Sequence, residues 1–135
     1  MKINAKGIVL GFAALLALSV LRSILLSLFK GYIATDLFGA QGAYSYEDQL
    51  LIMEQTSVVI VDLLSTLLLL AIPCFISAKN SQGHEQENSL AMLAAISLLL
   101  LLFQPLASVI VISILGIVIA TLSAKLAIIL NKKHN

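Results

Sequence analysis

Tryptophan is absent from this sequence, cysteine occurs once and charged residues make up only 11%, and each shortage removes a class of protein. The single thiol, Cys74, stands beside Pro73 in an apolar run, so there is no intramolecular disulfide framework and no zinc motif of paired thiolates. A net charge of +1 supplies no basic field, and nucleic acid is not an expected partner. Catalytic signatures are missing as well: there is no H-E-x-x-H, no G-x-S-x-G, no P-loop and no pair of carboxylates inside an apolar run. Both histidines fall in polar segments. His84, Glu85 and Glu87 fall short of a metal coordination shell and read as a solvated charged loop. No enzyme activity, metal or cofactor is expected.

Apolar sequence is what the chain has in excess. Hydrophobic residues make up 60%, more than the core of a soluble domain of 135 residues uses. Cut into lengths of about 20 residues, the unit needed to cross a bilayer, the chain reads as an all-α integral membrane bundle of four transmembrane helices forming a single multi-pass domain. The spans fall at about residues 8–29, 56–77, 90–105 and 107–128, with a polar loop at 31–54 and a linker at 79–89. Lys2 and Lys6 ahead of the first apolar run resemble a secretory signal, and Ala17-Leu18-Ser19 resembles a cleavage site. The run continues to Phe29, too long for a signal core, so a retained first helix is expected.

Local signals refine this reading. The 31–54 loop holds Gly39, Gly42 and all three tyrosines, which suit the membrane surface. Ser45 followed by Asp48 has the form of a helix N-cap with an acidic first turn, so the second helix is expected to begin near Tyr46 and continue into the membrane. Pro73 is expected to kink that helix or mark an early exit, with the end near Lys79. Ser89 is the expected N-cap of the next helix. The apolar run from Leu90 to Leu130 is too long for one span and sufficient for two, with Gln104-Pro105 as its only interruption and therefore the expected turn. The third span is short, and a re-entrant segment is the competing reading.

Lysine placement sets the expected orientation. With the N-terminus inside, Lys2, Lys6, Lys79, Lys125, Lys132 and Lys133 share the cytoplasmic side and Lys30 alone flanks the other, so both termini are expected in the cytoplasm of a bacterial inner-membrane protein. Lys132-Lys133 also fits a dilysine retrieval signal, but a basic anchor explains it on the same topology.

Two ionisable residues lie well inside apolar runs, Arg22 in the first and Asp62 in the second. Arg22 precedes Lys30 by as many residues as Asp62 follows Glu54, so antiparallel helices would bring them to one level. An ion pair is expected there, assisted by Ser19, Ser23 and Thr66, and serving either as a fixer of helix register or as a functional site. Small residues recur at helical spacing in two places. Gly7 and Gly11 lie too near the interface to carry weight, whereas Gly116, Ala120 and Ala124 are central in the last span and mark the expected packing face, toward the bundle or toward another protein.

The expected role is that of a non-enzymatic accessory, assembly or immunity-type subunit. Its partners would be the lipid bilayer and another membrane protein or a second copy of itself. The alternative is a small oligomeric transporter or channel with Asp62 as its ion- or proton-responsive group.

Overall fold

A computed structural model describes residues 3–40, 44–102 and 104–132. Lys2, Gly42 and Lys133 lie outside the described residues. Five helices are present: α1 Ala5–Phe38, α2 Tyr46–Glu54, α3 Thr56–Lys79, α4 Glu85–Leu100 and α5 Leu106–Lys132, with no strand among the described residues. Three of them, α1, α3 and α5, are long and apolar enough to cross a membrane. At 16 residues, α4 is shorter than the about 20 a full span requires.

Helix ends follow local chemistry. Asn4 precedes α1, and its Oδ1 accepts the Lys6 N–H at 3.0 Å, satisfying a donor that has no intrahelical partner. Gly39 closes the helix with φ +77°, its N–H donating to Thr35 O at 2.9 Å. Ser45 and Asp48 form a capping box that opens α2: Ser45 Oγ accepts the Asp48 N–H at 3.1 Å and Asp48 Oδ2 accepts the Ser45 N–H at 2.9 Å.

Several boundaries differ from the sequence expectation. The loop expected at 31–54 is mostly helical, because α1 runs on to Phe38. Ala34 is buried there with Ile52 of α2 and Val58 of α3, and Phe29, Ile33, Phe38 and Tyr44 pack around them. The second helix is two helices, since Gln55 takes an extended conformation with ψ 128° and ends α2 before Thr56 begins α3. Pro73 does not stop α3, which continues to Lys79 with Leu70, Pro73, Cys74 and Ser77 all buried. Ser89 is not an N-cap. The chain enters α4 at Glu85 after a turn in which Gly83 has φ +78°, and Ser89 is fully buried one turn inside the helix. Glu85 and Glu87 supply the negative charge that favours a helix start at that point.

The chain packs as two compact units. One comprises residues 18–67: the later part of α1, all of α2 and the start of α3, around the Ala34, Ile52 and Val58 cluster. The other comprises the described residues of 1–17 and 68–135. Its core is Leu15, Leu70, Cys74, Met92, Leu93, Ile96 and Ala120, with Ala78, Ala124 and Ala127 forming a second cluster. Within it α4 and α5 pack against each other as an antiparallel pair, with Ser89 bonded to Ala120 and Ser97 to Ser113. Asn4 Nδ2 donates to Asn80 O at 3.2 Å, and Asn131 Nδ2 donates to Lys79 O at 3.3 Å and Glu85 Oε1 at 3.1 Å. The start of α1, the end of α3, the start of α4 and the end of α5 thus meet at one end of this unit, where Lys6, Lys79 and Lys132 also lie along the chain.

Candidate functional site

Arg22 and Asp62 meet within the unit formed by residues 18–67. Arg22 Nη2 donates to Asp62 Oδ1 at 2.6 Å and to Thr66 Oγ1 at 3.1 Å, and Arg22 Nε donates to Ser65 Oγ at 3.0 Å. The two hydroxyls are oriented for this. Ser65 Oγ and Thr66 Oγ1 each donate to the Asp62 carbonyl, at 2.9 and 2.8 Å, which leaves their lone pairs for the guanidinium. One face of a single helical turn therefore presents a carboxylate and two oriented acceptors to one cation.

The helper residues differ in part from those expected. Thr66 contacts Arg22; Ser23 is exposed and makes none of these bonds. Ser65 was not singled out from the sequence, although it lies three residues after Asp62, on the same helix face as Thr66.

The pair is open to its surroundings. The Arg22 side chain is 30% exposed and that of Asp62 52% exposed, in helices otherwise covered by apolar side chains such as Val20, Leu25, Val59 and Leu63. Among the described residues, Arg22 donates from Nε and Nη2 and Asp62 accepts at Oδ1, which leaves the N–H groups of Nη1 and the oxygen Oδ2 outside these bonds.

The small-residue row of α5 turns toward its own unit. Gly116, Ala120 and Ala124 are buried, Ser89 Oγ donates to Ala120 O at 2.8 Å, and Gly116 lies so close to Leu93 that an added Cβ would overlap Leu93 Cδ1. The Gly7 and Gly11 pair, expected to carry little weight so near the interface, meets backbone rather than only a side-chain end. A Cβ at Gly7 would overlap Ser81 Oγ and stand 2.6 Å from Ser77 O, and one at Gly11 would stand 2.8 Å from Pro73 O. Contact of backbone with backbone at these positions requires glycine.

A polar network missed at the sequence level joins the same elements. Asn88, fully buried, pairs its amide with the backbone of Asn4 and donates to Ser81 Oγ at 2.6 Å, and Ser81 Oγ donates on to Ser77 O at 2.7 Å. No buried side-chain nitrogen or oxygen among the described residues lacks a partner. Beside this network, partial burial of Glu85 disfavours its charge. The N–H of Glu85, the Asn131 amide, the N–H of Gly83 and His84 together outweigh that cost and hold its carboxyl below the usual carboxylate range.

Long apolar helices and a charge pair set between two of them define a helical membrane protein. No known protein family, curated protein or solved structure matches the chain.

Proposed function

We propose that this chain is a four-span protein of a bacterial inner membrane, with both termini in the cytoplasm, and that it works without catalysis as an accessory, assembly or immunity-type subunit binding another membrane component. The incompletely enclosed Arg22–Asp62 pair carries this reading. A charged side chain in hydrocarbon costs on the order of 3 kcal/mol even on permissive insertion scales. A pair kept only to fix helix register would be enclosed by its own chain, whereas a pair left half open is suited to being covered by something else.

The meeting of four helix ends supports the span count and the orientation. Lys6, Lys79 and Lys132 gather where α1 begins, α3 ends, α4 begins and α5 ends, as a positive cytoplasmic face requires. The helix α4 is about 24 Å long at 1.5 Å per residue, so the four-span reading needs residues beyond its end to complete the crossing. Single cysteines at Gln49, Gln82 and Gln104 in a Cys74→Ser background test the topology. Labelling of 49 and 104 from outside, with 82 reached only from the cytoplasm, fits four spans; protection of 104 from both sides rejects it.

Arg22→Gln and Asp62→Asn test the role. On the binding reading both variants insert at close to wild-type levels but lose their complex on native gels. The alternative, a transporter or channel gated by Asp62, requires the Asp62→Asn protein to keep its assembly state and lose ion flux in proteoliposomes.

A further inference from the structure

We infer that the component covering the Arg22–Asp62 face is a second copy of this chain, docked about a two-fold axis along the membrane normal so that each copy's Arg22 meets the other's Asp62. The inference rests on the binding role proposed above and names its partner.

Unused bonding capacity is the first argument. Arg22 spends Nε and Nη2 on Ser65, Asp62 and Thr66, leaving the N–H groups of Nη1. Asp62 spends Oδ1, leaving Oδ2. A donor and an acceptor are thus both left open, with no water in the hydrocarbon to fill them.

Symmetry is the second. Parallel copies in one membrane carry this pair at equal depth. Rotation by 180° about the membrane normal places a cation opposite an anion at both positions, so the neutral pair is complementary to itself, as an isologous interface demands. Nη1 of each copy then donates to Oδ2 of the other, and the four charged groups form a closed ring of charge-assisted hydrogen bonds. A heterologous partner would have to bring its own matched acid and base to the same depth; a second copy brings them by construction. The flanking apolar residues Leu25, Val59 and Leu63, all more than half exposed, supply the contact around the ring.

Charge complementation between copies separates this arrangement from the others. Arg22→Asp places two acids on the face, and Asp62→Arg places two bases. Neither variant pairs with itself, but the two together restore every contact across the axis while leaving no opposite-charge pair within either chain. Differently tagged, the two variants should co-purify from one membrane about tenfold or more above either with itself, the scale of a charge-assisted hydrogen bond. As a check that does not perturb the charges, Val59→Cys in a Cys74→Ala background should give an oxidative dimer of this chain in native membranes, with Ile114→Cys on α5 giving none.

Failure of the mixed variants to co-purify while the Val59→Cys chain also stays monomeric overturns the inference. So does a wild-type dimer that crosslinks at Ile114 and not at Val59, since it is built on another face. Crosslinking of Val59→Cys to a different membrane protein would overturn the two-fold arrangement and leave the binding role standing; absence of any adduct together with failed co-purification would remove both.

Discussion

The side-chain amide of Asn88 pairs with both polar groups of the Asn4 backbone: Asn88 Oδ1 accepts the Asn4 N–H at 2.8 Å and Asn88 Nδ2 donates to the Asn4 carbonyl at 2.8 Å. This is the bonding a neighbouring strand would offer, supplied by one side chain to a single residue just ahead of α1. It ties the chain's first described turn to a residue 84 positions later and fixes where the first helix begins.

Loss of this amide should therefore destabilise the unit more than loss of an ordinary buried side chain of its size. Asn88→Leu leaves the partly buried Asn4 N–H without its partner, at a cost of up to about 1–3 kcal/mol for each orphaned group. Thermal unfolding in detergent, followed by the monodisperse fraction on size exclusion, should show a clear drop in midpoint. Asn80→Ala should show little, because Asn4 bonds its backbone carbonyl and not its side chain.

Glycines make a contrast that composition alone does not. Gly7→Ala pushes a methyl group against Ser81 Oγ and the Ser77 carbonyl, and a backbone obstacle does not move aside. Gly31 sits in α1 with nothing within 4 Å of an added Cβ, so Gly31→Ala should stabilise by about 0.5–1 kcal/mol through reduced unfolded-state freedom. Opposite signs in the same thermal assay are the expected result. Two losses of equal size would indicate that helix propensity, not packing, governs both sites.

At Gly116 the obstacle is a side-chain end. A methyl group there meets Leu93 Cδ1, the far end of a side chain rather than backbone. Gly116→Ala should cost less than Gly7→Ala, and Leu93→Ala combined with Gly116→Ala should recover part of the loss that the two single changes predict by addition. A double-mutant cycle measures that coupling, expected at about 0.5–3 kcal/mol for residues in contact.

Which of these features the sequence discloses depends on how local their causes are. Ser45 and Asp48 are three residues apart and fix the start of α2 between themselves, so the signal is complete within one turn. The levels of Arg22 and Asp62 follow from counting along two regular helices. Asn88 is different: in Asn80–Asn88 every residue looks solvated, and its burial comes from α1 and α3, which local composition does not report. The break at Gln55 has the same character. No glycine or proline marks it, and the α2 side chain Ile52 is instead held by Ala34 and Val58. Gly7 lies near the membrane surface, where its spacing from Gly11 says little, and the close approach of Ser77 and Ser81 decides its role.

Acid should act first at the turn that opens α4. The Glu85 carboxylate accepts from Asn131 Nδ2 at 3.1 Å and sits at the positive end of α4, and its folded-state proton affinity is lowered. A carboxylate depressed on folding contributes its stabilisation in full above its unfolded value of about 4.3, and that contribution is lost as pH falls through the lower folded value. The detergent-solubilised protein should thus lose stability as pH falls below that unfolded value. Glu85→Gln should flatten that slope while costing some stability at pH 7, and Asn131→Ala should reduce the slope by a smaller amount, because the backbone N–H groups of Glu85 and Gly83 still favour the charge. The effect should be small, as Glu85 is only partly buried. If the melting midpoint of Glu85→Gln fell with acid as steeply as that of the wild type, Glu85 would not be the acid-sensitive carboxylate.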